Sequence, residues 1–159
     1  MFYITSLTKT LNLSPQNLGV DIKVLISEKI REVEGKVVGN HGYIVSILEF
    51  NKTGKGIVNE SGDVSFRIDY TAITFKPIKN EVLDAIPVFI NEYGFFSKVG
   101  PSQVFSRLHS NEDGWTYNAE DNIWSSGNNS VEIAKPVRLK ILENRIESNE
   151  ITALGELYV

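Results

Sequence analysis

A chain of 159 residues, 42% of them apolar, can build one moderate core or two small ones. It contains no cysteine, which excludes disulfides, thiolate zinc sites and a cysteine nucleophile and favours a reducing compartment. The net charge of −4 is unevenly divided: residues 1–80 hold 10 Lys and Arg against 8 acids, and residues 81–159 hold 6 against 12. That balance argues against tight, nonspecific nucleic-acid binding and leaves room for weak or local contact with RNA.

Met1 runs directly into Phe2-Tyr3-Ile4 with neither a basic leader nor a long apolar segment. No signal peptide or membrane span is expected, and the chain reads as soluble and intracellular. The Asn-x-Ser/Thr triplets at Asn12, Asn51, Asn59 and Asn128 are then chance matches, since glycosylation needs a secretory route.

Residues 2–7 are β-prone, and Leu11-Asn12-Leu13 continues an irregular extended pattern up to Ser14-Pro15, a plausible helix start with Ser as N-cap. From Asp21 the residues Ile22, Leu25, Ile26, Ile30 and Val33 share one helical face, and Gly35 supplies the stop. That face is expected to pack on an antiparallel sheet rather than hold a partner helix. Val37-Val38, the glycine-flanked Gly39-Asn40-His41-Gly42 and residues 43–50 follow, a long β-branched run with a glycine interruption near its start that suits two strands or one bulged strand. Turns are expected at 51–56 and 59–63, around Ile57-Val58. Val64, Phe66, Ile68 and Tyr70 then alternate with Ser65, Arg67, Asp69 and Thr71, the cleanest period-two signal in the chain.

Residues 71–85 form a seam. A strand pattern runs to Phe75, Pro77 interrupts the ladder, and a new apolar run begins at Glu81. Two domains are therefore expected, 1–80 and 81–159. The second reads as five strands, 81–91, 95–99, 104–107, 137–143 and 151–157, which close most economically as a five-stranded OB-type barrel. Residues 110–130 read as a long polar loop pinned by Trp115, Tyr117 and Trp124.

No catalytic constellation is visible. The only histidines, His41 and His109, have no ligand-spaced partner and are expected in solvent; Gly54-Lys55-Gly56 lacks the spacing and following helix of a phosphate loop. The carboxylate pairs Glu112-Asp113 and Glu120-Asp121 suit solubility better than metal binding. No cofactor is expected, and the chain is taken to be noncatalytic.

The wording of the seam, Tyr70 to Phe75 followed by Lys76-Pro77-Ile78-Lys79-Asn80-Glu81-Val82-Leu83-Asp84, closely resembles the larger stalk subunits of RNA polymerases, the seventh subunit of polymerase II and its archaeal relative. Met1-Phe2-Tyr3, residues 15–19, Glu32-Val33-Glu34-Gly35, Gly39 and Gly42-Tyr43-Ile44 extend the likeness across nearly the whole chain. The polymerase II form is favoured by the Phe-Lys-Pro-Ile-Lys-Asn-Glu-Val-Leu-Asp wording over the paralogues of polymerases I and III and the archaeal form.

The resemblance implies a truncated ribonucleoprotein-like N-terminal domain, an antiparallel sheet with one main helix. This domain pairs with the smaller stalk subunit, the fourth-subunit homologue, and places its tips in the polymerase core near the clamp. The tips correspond to residues 15–19 and 56–65, with Pro15, Leu18, Gly19, Ile57 and Gly62 as candidate docking residues. Asn40-His41 stands where the family carries lysine between the two glycines, and the chain stops at Leu157-Tyr158-Val159, short of the family's usual tail.

The hairpin Asn91-Glu92-Tyr93-Gly94-Phe95-Phe96 followed by Gly100-Pro101 resembles the RNA-binding barrel named after the first small-ribosomal-subunit protein. It implies weak contact with single-stranded nascent RNA through Tyr93, Phe96, Arg107 and Arg145, with core packing as the competing role for Phe96. Together the two resemblances imply a noncatalytic, nuclear subunit of RNA polymerase II that supports clamp closure and initiation. The alternative is a free-standing single-stranded RNA-binding protein, without membrane contact in either case.

Overall fold

Phe2–Leu13 forms one uninterrupted strand, β1, where the sequence suggests a short strand and an irregular stretch. The reason is its partner. Tyr43–Thr53 (β2) and Ile57–Val58 (β3) are followed by Val64–Phe75 (β4), and β1 pairs with β4 along its whole length, from Phe2 opposite Phe75 to Leu13 opposite Val64. The sheet runs β1-β4-β2, with β3 against the start of β4. The computed structural model describes residues 1–19, 21–110 and 114–158. It divides into two compact units, Phe2–Lys76 and Pro77–Val159 with Met1.

One face of the first sheet is the core. Leu7, Leu11, Leu13, Ile44, Ile68, Tyr70 and Ala72 are buried there with Ile26 and Ile30 of the helix Ile22–Arg31, α1. Each such aliphatic side chain contributes about 1.5–3 kcal/mol by leaving water. Ser14-Pro15 begins only a 3₁₀ turn, Pro15–Asn17, without a side-chain cap from Ser14. The helix proper is capped by Asp21, whose carboxylate accepts from the Lys23 N–H at 3.1 Å.

The helix also stops at Arg31, earlier than the expected stop at Gly35. The N–H groups of Val33 and Glu34 reach back only three residues, to the carbonyls of Ile30 and Arg31, which tightens the exit into turns. Gly35 then takes a left-handed φ of +79° and donates to the Ile44 carbonyl at 2.8 Å.

Of the two arrangements open for residues 37–50, a single bulged strand is found, beginning at Tyr43, with Val37 joined to it by an isolated antiparallel bridge to Tyr43. β2 slips register against β4 between Ile44 and Ser46, between Ile47 and Glu49 and between Phe50 and Lys52, and it runs on to Thr53 through part of the expected turn. The Glu34 carboxylate accepts the Ile47 N–H at 2.8 Å, giving a partner to backbone at a slip.

The face away from α1 carries Phe2 and Ile4, opposite Phe75 and Ile73. Phe2, Ile4, Val45 and Leu48 are all exposed.

The second unit is a closed five-stranded barrel. Val82–Asn91 (β5), Gly94–Val99 (β6) and Ser102–Arg107 (β7) form a meander. Three short strands follow, Thr116–Asn118 (β8), Ile123–Ser126 (β9) and Asn129–Val131 (β10), then Val137–Glu147 (β11) and Glu150–Leu157 (β12). The closure β5-β6-β7-β12-β11, with β7 and β12 its parallel pair, is the connectivity of an OB-type barrel. Ala85, Ile90, Phe95, Val99, Val104, Leu139, Ile141, Ile151 and Ala153 are among its buried residues. Pro87 is tolerated in β5 because the register slips between it and Phe89.

The expected long loop at 110–130 contains a three-stranded antiparallel meander, β10-β9-β8. Two reversals make it possible, at Asn122 and Gly127, with φ of +54° and +55°. Trp115 and Trp124 are buried, and the Tyr117 ring lies 5.2 Å from that of Trp124. Glu112-Asp113 lies outside the described residues.

Candidate nucleic-acid interface and docking tip

The barrel's outer surface is set by strand alternation. On β6, Phe95, Ser97 and Val99 are buried while Phe96 and Lys98 face outward; on β7, Gln103, Phe105 and Arg107 do the same. Phe96 stands opposite Phe89 of β5 on one side and Phe105 of β7 on the other, and Phe105 stands beside Leu154 of β12. The Phe89–Phe96 and Phe96–Phe105 ring centroids lie 6.3 Å and 4.7 Å apart, both tilted.

Phe96 is 38% exposed and Phe89 55% exposed, so this row is on the surface and is not core. The competing assignment of Phe96 to the core therefore fails, although its ring does pack between two others. Only Phe96 of this row stands out from the hairpin sequence; Phe89, Phe105 and Leu154 do not. Their signal lies in the pairing: extending the hairpin register from Phe96 across both neighbouring strands places an aromatic on each.

Tyr93 sits in the two-residue turn between β5 and β6 and is 63% exposed. The turn is built from both sides. Asn91 Oδ1 accepts the Tyr93 N–H at 3.0 Å, and the Tyr93 carbonyl accepts the Leu108 N–H at 3.2 Å. Gly94 follows with a φ of +139°, and a Cβ there would meet the Ser106 carbonyl oxygen at 2.1 Å, so only glycine fits. Trp124, fully buried, donates its Nε1–H to the Asn91 carbonyl at 2.9 Å. The meander thus braces the turn that presents Tyr93. A hydrogen bond to the Glu92 carboxylate, helped by its charge, raises the Tyr93 phenol above its ordinary pKa.

Arg107 is opposite Gly94, next to this turn, and lines a groove with Leu108, His109 and Trp115. His109 is half-buried there, against the expectation of a solvated side chain, whereas His41 is exposed. Arg145 is not part of that cluster. It is on β11 opposite Thr152, which stands opposite Gln103 of β7, two residues along that strand from Phe105 and four from Arg107. Arg145 lines a second groove of about 490 Å³ with Phe105, Glu143, Thr152 and Leu154, and pairs with Glu147 at 2.6 Å. The neighbouring Asn144 donates to the Pro77 carbonyl. Tyr93, Phe96 and Arg107 thus gather at one end of the outer face, and Arg145 marks the other.

In the first unit the two candidate tip segments converge on one end of the sheet. Val64 is flanked by Leu13 of β1 and Val58 of β3, so the 3₁₀ turn after β1 and the hairpin between β3 and β4 emerge together. A polar chain ties them: Asn59 donates to Ser65 Oγ at 2.7 Å, and Ser65 donates to Asn12 Oδ1 at 2.5 Å. Ile57 and Val58 are 68% and 70% exposed. Pro15 and Gly19 are exposed as well, and Gly62 turns the hairpin at a φ of +85°. Leu18 differs, being half-buried against the unit's own core.

Among the described residues no cluster of three or more His, Asp or Glu is arranged to hold a metal ion. No helix among them is long and apolar enough to cross a membrane.

Fold and surface together define a two-module protein: a one-helix antiparallel sheet followed by an OB-type barrel with an aromatic outer row. Residues 8–63 match the family described as "SHS2 domain found in N terminus of Rpb7p/Rpc25p/MJ0397". The chain is 33% identical over 162 residues to DNA-directed RNA polymerase II subunit 7 of Arabidopsis thaliana, covering 99% of this chain and 92% of that protein. It is 32% identical over 164 residues to subunit RPB7 of Saccharomyces cerevisiae, covering 99% and 95%. Similarity to the polymerase III subunit rpc8 of Dictyostelium discoideum is lower, 23% over 131 residues, with 78% of this chain and 50% of that protein covered. The chain belongs to the family of subunit 7 of DNA-directed RNA polymerase II.

Proposed function

We propose that the chain is a noncatalytic subunit of nuclear RNA polymerase II. It forms a stalk with the fourth-subunit homologue, docks its N-terminal tip in the polymerase core near the clamp, supports clamp closure and initiation, and offers its barrel to single-stranded nascent RNA. The observation that carries this reading is the continuous likeness to polymerase II subunit 7 proteins over both modules. The geometry supports it at two places. The tip segments converge with Ile57 and Val58 exposed, which suits insertion into a protein surface.

The barrel presents aromatic rings on its second and third strands and in its first turn, where OB folds bind oligonucleotides. Stacking on such rings contributes about 1–3 kcal/mol per base without requiring a broad basic field, which suits the acidic balance of residues 81–159.

The test is affinity capture of the tagged chain from nuclear extract. Recovery of polymerase II subunits, with the fourth-subunit homologue in equal amount, is the expected result. The double variant Ile57→Asp, Val58→Asp keeps that homologue and loses the large core subunits. Capture of RNA with no polymerase subunit would replace this reading with that of a free-standing RNA-binding protein.

A further inference from the structure

The aromatic row ends on a carboxylate. Glu143 of β11 stands opposite Leu154 of β12, on the same outer face, and lines the groove floored by Phe105 and Leu154. The register slip between Ile141 and Glu143 puts it there, since an unbroken alternation would place the outward side chain one residue earlier, at Leu142. Arg145, in the same groove, is engaged by Glu147. Among the described residues the Glu143 side chain makes no hydrogen bond or ion pair.

A carboxylate beside Arg145, the one cation lining this groove among the described residues, weakens general attraction for RNA, so its position calls for a ligand with donors. An ionised carboxylate only accepts hydrogen bonds, and the four bases differ in what they offer it. Uracil presents one N–H between two carbonyls, whose oxygens it repels. Cytosine and adenine each present an amino group beside a ring-nitrogen acceptor. Guanine alone presents two adjacent donors, N1–H and the N2 amino group, spaced to meet both oxygens of one carboxylate. A base lying over the Phe105 end of the row, its Watson–Crick edge outward, brings that edge to Glu143.

We propose that Glu143 makes this face selective for single-stranded RNA carrying a guanine, seated on Phe105 and Leu154 and read by the Glu143 carboxylate. The inference rests on the RNA reading of the barrel given above and adds a base preference to it. Phe89 and Phe96 accept any base, because every base has a stacking face, whereas the Glu143 end discriminates.

The experiment is fluorescence anisotropy of the full chain with labelled heptauridine and the same oligomer with a single central guanosine or inosine, which lacks the N2 amino group. Glu143→Gln is measured beside the wild type; the site is exposed, and circular dichroism checks the fold. The expected result is about tenfold tighter binding with guanosine than with uridine, and an intermediate value for inosine. In Glu143→Gln the guanosine-to-uridine ratio falls towards one while heptauridine binding is kept or improves. Wild-type binding that is equal for all three oligomers, or a guanosine preference that survives Glu143→Gln, overturns the inference and leaves the RNA reading standing. Absence of binding to every oligomer at low salt overturns both.

Discussion

The two modules solve the same problem, a sheet with exposed edges, in opposite ways. The barrel closes β11 onto β5 and so leaves none of its five strands unpaired on either side. The first sheet stays open: no strand pairs with the outer edge of β1 among the described residues, its helix-free face keeps Phe2 and Ile4 exposed, and Val45 and Leu48, at two register slips of β2, are exposed as well. A closed sheet is complete and can use its outer surface for a ligand that comes and goes. An open sheet with an uncovered apolar face is incomplete, and a permanent partner removes that cost.

The contrast can be broken from the barrel side. Trp124→Ala should have the largest effect, about 3–5 kcal/mol, because it empties a fully buried site and frees the carbonyl that holds the Tyr93 turn. Chemical denaturation followed by tryptophan fluorescence of Trp115 measures it. Gly94→Ala should cost about 3 kcal/mol, combining a forbidden φ with a backbone collision at Ser106. Both losses should fall on the barrel's unfolding transition alone.

Substitutions on the outer face act on binding more than on stability. Phe96→Ala should weaken binding of a short unstructured RNA by about 1–3 kcal/mol, with a stability change well below that of Trp124→Ala, since the ring is surface-exposed. Glu147→Gln should be the smallest effect, under about 1 kcal/mol in stability. It releases Arg145 from an exposed pair, so RNA affinity at low salt should rise slightly.

How legible each element is in the sequence depends on the physics of its signal. Strict alternation at 64–71 and the helical face from Ile22 to Ile30 report burial on one side, and both appear as elements with those residues inside. The five strands of the barrel are countable because glycine and polar turns separate them. Two things are hidden. The meander at 116–131 consists of strands of three or four residues, too short for alternation to rise above a polar loop, and only Asn122 and Gly127 hint at its reversals. The aromatic row is hidden because it depends on cross-strand register. Phe89 faces outward only through the slip after Pro87, and Phe105 joins Phe96 only through the hairpin pairing. Arg145 is recognisable as a cation on a late strand, but its distance from Arg107 depends on barrel closure.

An open sheet of this kind requires a partner. Sedimentation velocity of the chain alone and after mixing with the fourth-subunit homologue, joined to thermal unfolding of each sample, tests that most directly. The expected result is self-association of the chain alone, conversion to a one-to-one complex on mixing, and a higher unfolding temperature that depends on partner concentration. A strictly monomeric chain whose unfolding is unchanged by the partner would contradict it.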